Sequence, residues 1–169
     1  MSPIRQDRAA SARPRLTRAQ VVAGSVVSWL GIFLVIPWAI ARRGRRIGWA
    51  AGRPALLNRL GVVPLGLGAA GLTWCLAAHY EPGETVALSL VPEKLIAAGP
   101  YRFSRNPMYV SEEATLVGWA IYFGSPSLLA CSVALAAGMR YAVGREEKTL
   151  QDRFGDSWRD YAAQVPRWL

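Results

Sequence analysis

The chain has 169 residues, 52% hydrophobic and 18% charged, with 20 Lys plus Arg against 11 Asp plus Glu for a formal charge of +9. Its apolar residues lie in long blocks, not in the short alternations of a water-soluble core, and this excludes an ordinary soluble domain and points to a membrane. The basic residues flank those blocks and form no basic stripe interleaved with exposed aromatics, so lipid headgroups are the expected partner and nucleic acid is not.

Residues 1–19, rich in Arg, Ala, Ser and Pro, have little to bury and read as a disordered basic tail ahead of a single membrane domain over residues 20–169. A basic tail running into an apolar helix also has the form of a signal peptide, with Ala39, Ile40 and Ala41 as a cleavage site. The run is longer than a signal core and the rest of the chain is itself membranous, so the helix is read as retained. That first helix spans residues 20–41 and ends at "ARRGRR"; a second spans 56–79, with Pro37 and Pro64 as expected kinks.

The polar connection "HYEPGETVALSLVPEKLIAAGPYRFSRNP" is punctuated by Pro and Gly and reads as loops and half-turns at the membrane surface, long enough to be functional. A third helix over 107–123 and a fourth over 126–143 form a hairpin through "GSPS". The final segment, "GREEKTLQDRFGDSWRDYAAQVPRWL", reads as an amphipathic helix with Lys148 and Asp152 at pair spacing and Phe154, Trp158 and Tyr161 as its buried edge, ended or bent at Gly155.

A bilayer core needs about 20 apolar residues per helix, and lipid leaves no backbone group unpaired, so helices are the expected form. The fold class is all-α integral membrane, a bundle of four transmembrane helices, or five. The ambiguity arises because the positive-inside tendency places the tail, the long connection and the C-terminal segment in the cytoplasm yet leaves "RRGRR" outside. The seven Trp suit interfacial belts, and the Gly- and Ala-rich spans suit close helix contact. Cys75 and Cys131 read as small core residues; with His79 they make no ligand cluster, and no metal is expected.

The chemistry concentrates at the start of the third helix. Asn106 and Pro107 suit an N-cap and first helical position, and Tyr101 and Tyr109 flank the same turn. Glu112 and Glu113 follow within about one turn. They read either as interfacial acids paired with Arg102 or Arg105, or as functional groups, the default for ionisable residues in a span.

Taken together, "GPYRFSRNPMY", two apolar segments and "EEKTLQDRFGDSWRDYAAQVPR" resemble the isoprenylcysteine carboxyl methyltransferase family and its bacterial relatives, over residues 90–168. The resemblance implies an integral membrane enzyme using S-adenosylmethionine, bound in a cytoplasmic pocket made by the loop before the third helix, the start of that helix and the acidic pair in the C-terminal amphipathic segment. By motif match, Glu93, Lys94, Leu95, Ile96, Tyr101, Asn106, Pro107, Met108, Tyr109 and Glu146 line it. Asn106 stands where the familiar form "RHPxY" has histidine, as in bacterial members. Eukaryotic members carry an arginine one turn before the first glutamate of the pair, implicated in holding the substrate carboxylate. Ala142 occupies that position here, and Arg140 and Arg145 are the nearest arginines.

The implied reaction is methyl transfer to a lipophilic, membrane-embedded acceptor: an isoprenylcysteine-type carboxylate, or a related lipid or isoprenoid. Arg140, Arg145 and Glu112 stand on the acceptor side. The implied location is the bacterial inner membrane with the active site facing the cytoplasm. Methyl transfer by in-line displacement needs no covalent nucleophile, only alignment and exclusion of water. Tyrosine rings and carboxylates suit a sulfonium donor, and arginines suit an anionic acceptor. Two other readings stand beside it: an NADPH-dependent membrane reductase of the sterol or steroid type, which shares a likeness to "RFSRNPMYVSEE", and a non-catalytic membrane scaffold.

Overall fold

A computed structural model of the chain describes Gln20, Ala23, Gly24, Val27, Ser28, residues 30–79 and residues 94–169. The expected basic tail and Glu93 therefore lie outside the described residues. The fold is mostly helical, and among the described residues two stretches, Leu56–Ala78 and Pro126–Phe154, are helical, long and apolar enough to cross a membrane.

The first helix passes through a π-helical segment, Gly31–Val35, into α1, Ile36–Arg43. The cause is Pro37, which has no N–H and whose ring crowds the carbonyl four residues earlier. Upstream of it, the Ile36 N–H reaches back five residues to the Gly31 carbonyl. The Phe33 carbonyl, which Pro37 cannot serve, accepts instead from the Trp119 indole N–H of a later helix at 2.6 Å. The expected kink is thus a π-bulge repaired by a neighbouring side chain. α1 runs two residues beyond its expected end. There Arg46 Nε donates to the Ala41 carbonyl at 3.0 Å, and the guanidinium lies 4.9 Å from the centre of the Trp49 ring.

The next element departs from an all-α fold: a small antiparallel hairpin of β1, Trp49–Ala50, and β2, Arg53–Pro54. Ala51 and Gly52, both at positive φ, make the turn. Two-residue strands are too short to show an alternation in sequence. The hairpin closes one end of the bundle: Trp49 Nε1 donates to the Tyr122 carbonyl at 2.9 Å, and the Asn58 amide donates to the carbonyls of Ile47 and Ile121.

The expected second helix is two pieces, α2, Leu56–Arg59, and α3, Val62–His79. Pro64 lies in the first turn of α3, where a missing N–H costs nothing, and so does not kink a helix interior. α4 is Pro107–Phe123, α5 is Pro126–Phe154 and α6 is Asp156–Gln164. Between α4 and α5, Gly124 adopts the left-handed conformation (φ 56°), Ser125 accepts from the Leu128 N–H, and Pro126 begins the next helix.

α5 corrects the expected end at residue 143. It continues through Glu146 and Glu147 for 29 residues, about 43 Å, until Gly155 at φ 56°. Strong helix formers follow Gly144, and one glycine does not stop such a run. Because the hydrocarbon core is about 30 Å thick, a helix of this length is longer than a crossing requires.

α3 and α4 meet along a seam of small residues. A Cβ at Gly68 would stand 2.6 Å from the Ser111 carbonyl oxygen, and one at Gly118 would stand 2.7 Å from the Leu65 backbone nitrogen. Only glycine permits that approach. The hydroxyls on the seam bond within α4, Ser111 to the Pro107 carbonyl and Thr115 to the Ser111 carbonyl. Cys75 is buried as expected, whereas Cys131 is exposed on α5 and is not a core residue.

Candidate functional site

At the end of the bundle opposite the hairpin, α6 folds back beneath the loop that precedes α4. Its apolar edge, Trp158 and Tyr161, forms a buried cluster with Val165, against which Leu95, Leu150 and Phe154 pack. The Tyr161 hydroxyl donates to the Tyr101 carbonyl at 2.8 Å. Burial chiefly raises the Tyr161 pKa to about 12; the Arg105 charge opposes the rise and Glu147 adds to it.

After α6 the chain runs alongside "SRN". The Arg105 N–H donates to the Pro166 carbonyl at 2.9 Å, and both Ser104 Oγ and Asn106 Nδ2 donate to the Arg167 carbonyl at 3.1 Å. Asn106 occupies the N-cap position of α4, but its side chain makes no capping bond. This corrects the N-cap expectation: the amide is spent on Arg167, and the Asn106 N–H is taken by Ser104 Oγ. The motifs "RNP" and "VPR", some sixty residues apart, are two sides of one bracket.

The bracket encloses an ion-pair clamp. Glu147, 8% exposed, accepts from Arg167 Nη2 at 2.5 Å and pairs with Arg105 Nη1 at 3.2 Å. Arg105 is therefore the partner of Glu147 and not of Glu112 or Glu113, as sequence had offered. Glu147 was missed as a site-building residue. The signal for it was present in the doubled glutamate and the late "VPR", but a buried partner across that distance is not visible in sequence.

The next residue back, Glu146, is exposed and performs a different task. Its Oε2 accepts the Tyr109 hydroxyl at 3.1 Å, linking α5 to the first turns of α4. Tyr101 is half-buried nearby. Burial is the main cause that raises its pKa, with Cys75, Tyr161, Glu146 and Tyr109 all close enough to add. Tyr101, Tyr109 and Glu146 thus converge on one face of the site. Pro107 is buried at the start of α4, Met108 is half-buried beside it, and Ile96 is half-buried in the loop. Leu95 is turned into the Trp158 cluster, and Lys94 is exposed.

Of the acceptor-side residues, Glu112 is half-buried and near enough to Tyr109 and Cys75 for its charge to act on both. Arg140 reaches a cleft between α4 and α5 of about 270 Å³, lined also by Tyr109, Glu113, Met139 and Trp168. Arg145 is not among the residues lining it; its guanidinium lies 6.0 Å from the centre of the Tyr141 ring. Glu113 accepts the Ser132 hydroxyl with Oε1, while its buried Oε2 has no partner among the described residues. Among the described residues there is no group of three or more His, Cys, Asp or Glu placed to hold a metal ion.

The side chains on this face, two phenol rings and a carboxylate, suit a cationic group. Comparison with known proteins bears on the same region. The family model for phospholipid methyltransferases matches residues 62–157, more than half of the chain and all of α3, α4 and α5. The nickel-cobalt-cadmium resistance protein NccN of Alcaligenes xylosoxydans xylosoxydans is 32% identical over 116 residues, 68% of this chain and 50% of that protein. The chain therefore spans about half the length of that relative. An uncharacterized protein of Haemophilus influenzae is 33% identical over 63 residues, 37% of this chain and 100% of that protein. No solved structure matches.

Proposed function

This chain belongs to the phospholipid methyltransferase family, and on that premise we propose that it transfers a methyl group from S-adenosylmethionine to a lipophilic acceptor taken from the bilayer. Membership in that family supports methyl transfer over the reductase and scaffold readings. The observation that carries the cofactor assignment is the bond from Tyr109 to Glu146, which draws together the start of α4 and the acidic end of α5.

In this reading Tyr101, Tyr109 and Glu146 hold the cofactor, with Glu93, Lys94, Leu95, Ile96, Asn106, Pro107 and Met108 as the surrounding loop and first turn. The cofactor supplies an activated methyl group on a positively charged sulfur. The chain's own work is to neutralise and orient that charge and to keep water out. α6 and the bracket around Arg167 support the second task, because they seal the loop against α4.

The same reading makes residues 20–169 one domain with four spans in a bacterial inner membrane and the site toward the cytoplasm. The length of α5 supports it: Glu146 lies about 30 Å along the helix from Pro126, at the edge of a hydrocarbon core of that thickness, where a soluble cofactor can reach. Acceptor-side roles fall to Glu112, Arg140 and Arg145. An isoprenylcysteine-type carboxylate is one acceptor of the right character, although Ala142 removes the arginine implicated in holding it.

The test is calorimetric titration of S-adenosylhomocysteine into the purified protein, followed by incubation with methyl-labelled S-adenosylmethionine and a total lipid extract. Binding and a labelled lipid product are expected. A folded protein that binds no S-adenosylhomocysteine overturns the proposal.

A further inference from the structure

The end of the bundle that carries the β-hairpin lies opposite the candidate site, and its charge has one sign. Arg42 and Arg43 end α1, Arg45 follows them, Arg53 lies in β2 and Arg59 ends α2, and all five are exposed. Arg46 among them is turned inward, with Nε on the Ala41 carbonyl and its guanidinium over the Trp49 and Phe123 rings. No carboxylate answers the other five among the described residues. The sequence has no Asp or Glu from residue 8 to 80 or from 114 to 145, the stretches that build this end, and the ion pairs between described residues are those of Arg105, Arg159 and Arg167.

The apolar side chains at this end are exposed too. Leu56 and Leu57 are 77% and 75% exposed, and Ile47 and Leu60 stand out beside them. The Asn58 amide on the Ile47 carbonyl and the Ala55 N–H on the Gly48 carbonyl hold α2 against the segment that follows Arg45 and Arg46, so leucines and guanidiniums share one surface. At this level α1 ends, α3 begins and α4 turns into α5. Exposed leucine among arginines, where spans meet water, suits the headgroup boundary of a bilayer, with aliphatic side chains toward the acyl region and guanidiniums at the phosphates. A soluble anion would leave the leucines in water.

Arg43 and Arg45 flank Gly44, where a Cβ would stand 3.4 Å from Ser127 Oγ, so the two arginines lie beside the start of α5. A guanidinium takes a phosphate with two parallel N–H donors. A zwitterionic headgroup brings a cation of its own to a surface that already repels cations, whereas an anionic headgroup brings none. We propose that this end of the protein binds an anionic phospholipid, with its phosphate on Arg43 and Arg45 and its acyl chains beside Leu56 and Leu57. That lipid is not the methyl acceptor, because it sits in the leaflet opposite Tyr109 and Glu146, and its binding does not depend on the methyltransferase reading.

The test is native mass spectrometry of the full chain in detergent, titrated with phosphatidylglycerol and phosphatidylcholine of the same acyl chains. Phosphatidylglycerol is expected to bind about tenfold more tightly. An arginine beside an anionic headgroup contributes about fivefold, so Arg43→Gln combined with Arg45→Gln should weaken phosphatidylglycerol by about tenfold or more and phosphatidylcholine by less than about threefold. Should the pair not fold, either single variant decides, with a loss of about fivefold expected. Arg153→Gln combined with Arg159→Gln removes two exposed arginines from the other end and should change neither affinity. Glycerophosphoglycerol, the headgroup without acyl chains, should not displace the lipid at equal concentration. Equal binding of the two lipids overturns the proposal, as does a preference that survives the loss of Arg43 and Arg45 or an equal loss in the Arg153 and Arg159 variant. Displacement by the free headgroup overturns it as well, since the surface would then be a site for soluble anions.

Discussion

The Tyr109 hydroxyl donates to Glu146 Oε2 at 3.1 Å, although 37 residues and a helical hairpin separate the two. The bond lies in an exposed setting, where it adds little to stability but fixes the ring and carboxylate relative to each other. Tyr109→Phe is therefore expected to leave the unfolding temperature unchanged and weaken S-adenosylhomocysteine binding by about three- to tenfold. Glu146→Ala should do at least as much, and the double variant should add little to Glu146→Ala, because the two residues act as a unit. Calorimetric titration of the three variants checks this; full additivity would separate the pair.

The second glutamate acts on stability. Glu147 and Arg105 have side chains only 10% and 15% exposed, whereas the Arg167 side chain is 45% exposed. Glu147→Ala strands Arg105 in a buried site, at a cost of about 3–5 kcal/mol. Arg167→Ala leaves Arg105 paired and removes a half-solvated charge, at a cost of about 1 kcal/mol. Thermal unfolding in detergent should rank the two variants in that order, and equal losses would contradict a clamp centred on Arg105 and Glu147.

How much of this was legible in sequence depended on the range of the interaction. The charge-free blocks announced the long helices, and Gly124 and Gly155 announced their stops, because each is a local signal. The continuity of α5 past residue 143 was obscured by a change from apolar to charged residues, which marks the membrane surface and not a helix end. The bracket from Ser104 and Asn106 to Arg167 was invisible. Each of those side chains has a good local role, and nothing nearby shows that a strand of backbone sixty residues on will claim it. Glu113 was unexplained in sequence for the same reason: its partner, Ser132, lies on the neighbouring helix.

The seam between α3 and α4 gives a prediction with an internal control. Gly118→Ala places a Cβ 2.7 Å from the Leu65 nitrogen, where backbone cannot yield cheaply, and should destabilise by about 1–3 kcal/mol. Gly138→Ala on α5 meets nothing within 4 Å and should be neutral or stabilising by up to about 1 kcal/mol, since alanine is the better helix former. Thermal unfolding of the two variants distinguishes close approach from a general intolerance of alanine in the spans.

Tyr161 makes the docking of α6 sensitive to alkali. Its pKa rises from the ordinary 10.0 to about 12 in the folded protein, because burial disfavours the phenolate and Glu147 repels it, despite the opposing charge of Arg105. A raised pKa means that the unfolded chain loses its proton first. The stabilisation from the neutral phenol, and from its bond to the Tyr101 carbonyl, is complete below pH 10 and is lost as pH climbs through about 12. Unfolding temperature should therefore fall across that window in wild type. Tyr161→Phe should cost about 1 kcal/mol at neutral pH through the lost hydrogen bond and flatten part of the alkaline slope. Tyr101, whose pKa burial also raises, contributes to the rest of the slope. A slope that flattens in Tyr161→Phe and flattens further in the double phenylalanine variant would tie this part of the alkaline transition to the undocking of α6 from the loop before α4, and an unchanged slope in both would contradict it.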